Sequence, residues 1–533
     1  MAITGHNLIA GQLSNDGAIT FRSIDPRRRT SGDTVFYEAT LEEIERAVRA
    51  AADAFAETRT YSPGRLADLL ERVAVEIEAL GDELLETADR ETALGLPRLA
   101  SERARTTGQL RAFAALLREG SYVEAIIDTA LPDRQPTPRP DIRRMLFPIG
   151  PVTVFAASNF PLAFSVAGGD TASAFAAGCP VILKAHPSHP ATSELTAQAV
   201  NRAVQAQGFP AGFFSLVQGA SVDVGQALVR HPAIEAVAFT GSLRGGRALF
   251  DAAAARARPI PVYAEMGSVN PVFFLPGAIR DGGAALAEGL VTSVTLGAGQ
   301  FCTNPGLLFV PDTAEGRAFV GMVCERMAAR EPGVLLNAQI ERGLIGAVTE
   351  TLSHPGVECL IGGEAVPGGG YCFANTVLQT TASTFIADPA LQSEHFGPVT
   401  LVVLCADEGE MLAAAGALHG HLTASIHAAP DEWSVAAALA DRVRDRVGRI
   451  VWNGFPTGVE VVYAMQHGGP YPATTAPAST SVGLTAIRRF LRPVAFQNMP
   501  DALLPDALKN ANPLGIWRIV NGQWTQEKVS QGQ

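Results

Sequence analysis

Val152-Thr153-Val154-Phe155 is a β-branched and aromatic run followed by a helix-forming stretch from Thr171 to Ala177, then by Pro180-Val181-Ile182-Leu183, then by a second helical stretch from Ser193 to Gln207. The alternation continues through Phe213-Phe214-Ser215-Leu216-Val217, a helical pattern around Val224 to Arg230, and Ala236-Val237-Ala238-Phe239-Thr240. Short β-rich runs alternating with helices at this pitch build parallel βαβ units with helices on both faces of a sheet. The fold class is α/β.

Working outward from this core, Leu41 to Leu117 carries apolar residues at three- and four-residue spacing, which predicts amphipathic helices, and Thr40 with Glu43 has the pattern of a capping box. Between the two regions, Tyr122 to Pro148 holds five prolines and reads as an extended arm or connector. A second α/β segment begins near Asn270 with Pro271-Val272-Phe273-Phe274-Leu275 and runs through Leu307-Leu308-Phe309-Val310 and Val399-Thr400-Leu401-Val402-Val403-Leu404 to Arg449-Ile450-Val451-Trp452. Beyond it Gly, Pro, Thr and Ser dominate, before a polar tail from Arg489 to Gln533 whose Leu503, Leu504, Leu508 and Trp517 read as packing against a neighbour. A chain of 533 residues exceeds one hydrophobic core and implies two or three domains.

Composition excludes several classes. The formal net charge of -12 is spread along the chain without a basic block, which argues against nucleic acid or an anionic membrane as a partner. The six cysteines form no CxxC and no tight framework, so they read as reduced thiols of a cytoplasmic protein. Met1 to Asn7 lacks the basic start and apolar core of an export signal, and Pro148, Pro151, Asn159, Pro161 and Asp170 interrupt the weakly charged stretch from Met145 to Leu183, so no membrane span is expected.

Two residues stand out chemically. Cys302 lies in Gly299-Gln300-Phe301-Cys302-Thr303, and Glu265 lies in Tyr263-Ala264-Glu265-Met266-Gly267-Ser268. A cysteine in an apolar run is ordinarily a small buried hydrophobe, and a lone glutamate near glycine is ordinarily a turn or a cap. A thiol and a carboxylate together can divide acyl chemistry between a covalent nucleophile and a general base. His186 and His189 lack carboxylate or thiol partners, so no metal site is expected, and they read as loop histidines, as do His419 and His421.

The ordered set Ser158-Asn159-Phe160-Pro161, Lys184 at the end of a β run, Phe239-Thr240-Gly241-Ser242, Glu265-Met266-Gly267, Gly299-Gln300-Phe301-Cys302 and Glu394-His395-Phe396-Gly397-Pro398 resembles the aldehyde dehydrogenase superfamily across nearly the full chain. The resemblance implies a Rossmann-like cofactor domain, an α/β catalytic domain and a small β oligomerisation arm. It implies that Cys302 attacks an aldehyde to give a thiohemiacetal and, after hydride loss, a thioester. Asn159 and the Cys302 backbone N–H would hold the oxyanion, and Glu265 would activate the hydrolytic water. No GxGxxG follows the first strand; the family instead presents the cofactor phosphates to the helix start at Gly241 and Ser242. Lys184 would bond the adenosine ribose, Glu394 the nicotinamide ribose, and Phe396 would pack beside the ring.

NAD-preferring members often carry an acid three positions after the lysine, where this chain has Pro187, so NADP is the favoured cofactor over NAD, with His186 or Ser188 near its 2′-phosphate. Departures from the common pattern are Ser158 before the oxyanion asparagine and Ser268 and Val269 after the general base. Within the superfamily the text Thr240 to Arg247, Ala264 to Pro271 and Asn512 to Arg518 is similar to the branch that oxidises α-ketoglutaric semialdehyde (2,5-dioxovalerate). That substrate calls for a cationic subsite for its carboxylate. Alternatives are a broad or fatty aldehyde dehydrogenase on the same machinery, or a non-catalytic structural relative. The expected organisation is an NAD(P)-binding domain of residues 1–121 and 149–270, a catalytic domain of 271–455, an arm of 122–148 with 489–533, and a return of 456–488 to the cofactor domain. An arm lacking its own core would need a partner surface, so a homodimer or homotetramer is expected.

Overall fold

A computed structural model describes residues 2–529; Met1 and residues 530–533, the end of the 489–533 segment, lie outside the described residues. The alternation that begins at Val152 forms a seven-stranded sheet in the order Val262–Glu265, Ala236–Thr240, Val152–Phe155, Val181–Lys184, Phe214–Val217, Asn7–Ile9 and Gln12–Ser14. The first five strands are mutually parallel, and the two N-terminal ones add antiparallel. Numbered from Val152, the parallel strands run 5-4-1-2-3, so strand order reverses between Val152–Phe155 and Ala236–Thr240. In open α/β sheets ligands sit in the crevice beyond the carboxyl ends of the strands at such a point. Asn159 follows one of these two strands, and Gly241-Ser242 follows the other.

The helical expectation for Leu41 to Leu117 resolves into Leu41–Thr58, Pro63–Glu78, Gly81–Thr92 and Leu96–Glu119. Thr40 and Glu43 form the capping box. Leu69, Leu70, Val73, Leu110 and Phe113 from this layer share one core with Val152, Leu183 and Leu216 of the sheet, and Leu484, Ile487 and Phe490 of the C-terminal part close over it.

A second seven-stranded sheet has the order Glu358–Ile361, Thr376–Thr381, Val399–Cys405, Leu307–Pro311, Val272–Phe274, His421–His427 and Val447–Trp452, parallel except at its first strand. His421 is therefore a buried strand residue, not a loop histidine. His189 is likewise buried, directly before the helix Pro190–Ala206, with Nε2 2.8 Å from the Ala157 carbonyl.

The third sheet combines Ile126–Asp128 and Ile142–Pro148 with Leu491–Gln497, Arg518–Val520 and Gln523–Thr525. It departs from the coreless arm expected above. Val123, Ile127, Leu504, Leu508 and Ile516 form a cluster of their own, whereas Leu503 and Trp517 stay exposed. At its centre Arg518 is 0 % exposed and donates to the carbonyls of Ala507, Lys509, Asn510 and Glu527. A guanidinium supplies five donors in a fixed fork, so one side chain satisfies a loop that has no ladder partner. Among the described residues no helix is long and apolar enough to cross a membrane.

Replacing Arg518 with Ala strands those carbonyls in an apolar setting. Arg518→Ala is expected to lower unfolding free energy by about 2–4 kcal/mol, measured by urea denaturation; a loss within error would show that the clasp contributes nothing to stability.

Candidate active site

Cys302 is reached through three consecutive residues in the left-handed region, Gly297, Ala298 and Gly299, with φ of 57°, 56° and 69°. A β-carbon on Gly299 would lie 2.1 Å from the Gly397 carbonyl oxygen, so only glycine lets this turn seat on the loop that carries Glu394. Asn304 Nδ2 bonds the same oxygen at 3.1 Å. Asn270 Nδ2 bonds the carbonyls of Cys302 at 2.8 Å and Asn304 at 2.9 Å, and its Oδ1 accepts from Ser268. The strand carrying Glu265 and the turn carrying Cys302 are thereby tied together. Cys302 itself is half-buried.

Glu265, at the carboxyl end of its strand, is 3 % exposed. Thr474 bridges to it, and Met266 N–H bonds the Ala473 carbonyl at 2.7 Å, which lays residues 473–475 along the sheet edge. This return segment brings two groups that sequence reasoning missed. Ser481 Oγ donates to Glu265 Oε2. His467 places Nε2 3.0 Å from Glu265 Oε1, off the line of a hydrogen bond, and 3.5 Å from Cys302 Sγ. Its Nδ1 is buried without a partner, beside a small cavity lined by Tyr263, Glu265, Thr474, Ser479 and Ser481. Sγ, an imidazole nitrogen and a carboxylate oxygen all lie within 4.8 Å of one another. Asn159 approaches from the other side: its Nδ2 bonds the Gln300 carbonyl at 2.9 Å, and its own carbonyl accepts from Arg98 at 2.7 Å.

Burial alone would raise the Glu265 carboxyl, but the attraction of His467 and hydrogen bonds from Ser481 and Cys302 outweigh it and hold it below the usual range. The Cys302 thiol moves the opposite way. Burial, then the charge of Glu265, push it well above its ordinary 9.0. At neutral pH the pair rests as carboxylate and thiol.

The remaining expected residues divide into two groups. Glu394 stands against Gly267, where a β-carbon would meet its Oε2 at 2.6 Å, and burial raises its carboxyl to about 7. Phe396, half-buried, follows it in the loop. Apart from these, Lys184, His186 and Ser188 gather beyond the Val181–Lys184 strand. Lys184 Nζ donates to the Gly219 carbonyl at 2.5 Å, and burial lowers it to about 8, opposed by the charge of Glu38. Glu38 is a third missed residue: it accepts from the N–H groups of Ala220 and Ser221 at 2.9 Å and stands where the 184–188 segment has no acid. His186 is held neutral, well below 6.5, by burial and by its neighbours His189 and Lys184. Ser188 Oγ accepts from Asn337 at 2.9 Å.

Gly241 and Ser242 begin the helix Leu243–Ala254, and Ser242 caps it through the Gly245 N–H. A β-carbon at Gly241 would meet the Phe239 ring at 2.6 Å, so the bare glycine keeps this helix start open towards solvent. An exposed start with spare N–H groups is a fit seat for dinucleotide phosphates.

A thiol facing a buried carboxylate between two α/β sheets agrees with what comparison finds: the model of the aldehyde dehydrogenase family matches residues 14–471. The chain belongs to that family. It is 48% identical over 525 residues to alpha-ketoglutaric semialdehyde dehydrogenase 2 of Azospirillum brasilense, covering 98% of this chain and 100% of the relative. To an alpha-ketoglutaric semialdehyde dehydrogenase of Acinetobacter baylyi it is 44% identical, over 98% and 99% of the two chains. A betaine aldehyde dehydrogenase from Staphylococcus aureus, solved in complex with NAD+, shares the fold with a TM-score of 0.79 at 21% identity, over 94% and 98% of the chains. The protein is an aldehyde-oxidising oxidoreductase that uses a nicotinamide cofactor.

With the thiol pKa raised, the thiolate fraction grows as pH rises, so iodoacetamide alkylation of Cys302 should keep climbing past pH 9. Glu265→Gln removes the negative charge that raises it, and alkylation at pH 8 should become several-fold faster; slower alkylation would show that Glu265 promotes ionisation instead.

Proposed function

We propose that this aldehyde dehydrogenase oxidises α-ketoglutaric semialdehyde (2,5-dioxopentanoate) to 2-oxoglutarate, with NADP preferred over NAD. The observation that carries the substrate is near-full-length similarity to two relatives bearing that activity in their names. A second support is cationic. Arg105 and Arg449 both lie close enough to Cys302 to feel its charge once the thiol ionises. They also converge on one loop: Arg105 Nη2 reaches the Val459 carbonyl at 3.3 Å, and Arg449 bonds the carbonyls of Gly458 at 3.0 Å and Pro456 at 2.6 Å. That is Arg105's one hydrogen bond among the described residues, which leaves most of its fork free for a carboxylate, while Arg449 braces the loop. Phe164 lies under Arg105, and Phe160 and Phe301 continue the apolar wall towards Cys302.

In this reading Cys302 gives its proton up to solvent and its Sγ attacks the aldehyde carbon, which leaves Glu265 ionised for the later step. The oxyanion receives hydrogen bonds from the second Asn159 Nδ2–H and the Cys302 N–H; loss of one such donor costs about 100- to 1,000-fold in rate. When bound, the nicotinamide supplies the two-electron acceptor for the aldehyde hydrogen. Glu265 then takes a proton from the water that attacks the thioester, held in place by Ser481. His467, between carboxylate and sulfur, positions both. Gly241 and Ser242 would receive the cofactor phosphates, Lys184 the adenosine ribose and Glu394 the nicotinamide ribose, with Phe396 beside the ring.

NADP is favoured because Pro187 carries no charge to repel a 2′-phosphate and Lys184 supplies a cation, with Ser188 as a donor. Neutral His186 adds no charge, and Glu38 is the observation that favours NAD. A homodimer or homotetramer built through the third sheet completes the reading.

Turnover of 2,5-dioxopentanoate and of pentanal should be compared with NADP and NAD in wild type and in Arg105→Gln. Wild type is expected to prefer the oxo acid, and the variant to lower the ratio of the two kcat/KM values by about 10- to 100-fold through KM. A wild type preferring pentanal would overturn the substrate; an unchanged ratio in the variant would overturn only the role of Arg105.

A further inference from the structure

His467 enters the site for a reason that acyl chemistry does not exhaust. Its Nε2 faces the sulfur of Cys302 and the carboxylate of Glu265 at once, at 3.5 Å and 3.0 Å. Tetrahedral zinc with bonds of about 2.3 Å to sulfur and about 2.0–2.1 Å to nitrogen and oxygen separates a sulfur from a nitrogen ligand by about 3.6 Å and a nitrogen from an oxygen ligand by about 3.3 Å. The two edges seen here, 3.5 Å and 3.0 Å, come close to that figure before any metal arrives, and the sulfur and carboxylate oxygen lie within 4.8 Å of each other. The donor set is also selective: thiolate and imidazole suit Zn2+, whereas Mg2+ and Ca2+ require oxygen ligands.

We propose that Cys302, His467 and Glu265 form a preformed inhibitory site for Zn2+, with the metal bound by Sγ, Nε2 and a carboxylate oxygen and its fourth position left to solvent. Burial supports a defined shell: His467 is 1 % and Glu265 3 % exposed, while half-buried Cys302 leaves an approach from outside. The Nδ1 of His467, buried without a partner beside the small cavity, stays protonated when Nε2 takes the metal. Neighbouring Glu394 adds negative charge that favours a cation. Binding replaces the thiol hydrogen by the metal and releases that proton to solvent, with a second from Nε2 where the imidazole starts as imidazolium. No electron transfer is involved. Occupancy takes away the sulfur and the carboxylate together, so turnover stops, and a chelator restores it. That last readout rests on the proposed roles of Cys302 and Glu265; the binding readout does not.

The test titrates cofactor-free protein, full chain, with Zn2+ against a chromophoric chelator while recording proton release, turnover and alkylation of Cys302. One ion per chain at micromolar affinity or tighter is expected, with at least one proton released, Cys302 protected from iodoacetamide, activity lost and then recovered with EDTA, and no effect of Mg2+. His467→Gln should weaken binding roughly 100-fold while Cys302 remains open to alkylation, which also reports that the variant is folded. Cys359→Ser, at an exposed thiol outside the site, should bind Zn2+ as wild type does. Unchanged affinity in His467→Gln, loss of binding in Cys359→Ser, or the absence of stoichiometric binding would each overturn the site. Stoichiometric binding without inhibition would leave the site standing and overturn the assigned roles of Cys302 and Glu265.

Discussion

The contact between Gly299 and the Gly397 carbonyl is the constraint on which the site depends. A β-carbon there would have to occupy space already held by backbone, 2.1 Å from oxygen and 2.2 Å from carbon, with no flexible side chain to give way. Because the turn can seat that deeply, Cys302 is set against Glu394 from one loop, Glu265 from the edge of the first sheet, and His467 with Ser481 from a segment that returns after the second sheet is complete. Asn270, itself at φ 46°, holds the Cys302 carbonyl and makes the two sheets one unit at this point. The strain of a left-handed Ala298 persists because so many neighbours fix it.

The charges are arranged in opposition. Two buried carboxylates lie near one sulfur, but only Glu265 has strong donors, so it stays ionised while Glu394 is carried up to about 7. Burial, with their charges, keeps the thiol protonated. Farther out, Lys184 is a cation already partly balanced by the charge of Glu38.

Much of this was legible in the chain. Strand and helix alternation gave the α/β class, and the capping box at Thr40 and Glu43 marked a helix start that the structure contains. Cys302, Glu265 and Asn159 sit in short, distinctive neighbourhoods, and the structure brings them together. His467 and Ser481 had no such signal, because they meet Glu265 and Cys302 only through closure of the fold across separations of 165 and 216 residues. Glu38 was hidden for the same reason: absence of an acid near Lys184 in sequence says nothing about an acid arriving from the N-terminal region. Arg518 was invisible as a core residue because a charged side chain is buried only when surrounding carbonyls receive it, and those belong to a loop without regular spacing.

Cys302 is proposed to carry the acyl group and Glu265 to release it. The most direct test is intact and peptide mass spectrometry of Glu265→Gln protein mixed with aldehyde and nicotinamide cofactor and quenched within the first turnover. One acyl adduct per chain is expected on the peptide containing Cys302, formed with one equivalent of reduced cofactor. An adduct on another side chain, or reduced cofactor and acid accumulating while Cys302 stays unmodified throughout, would contradict it.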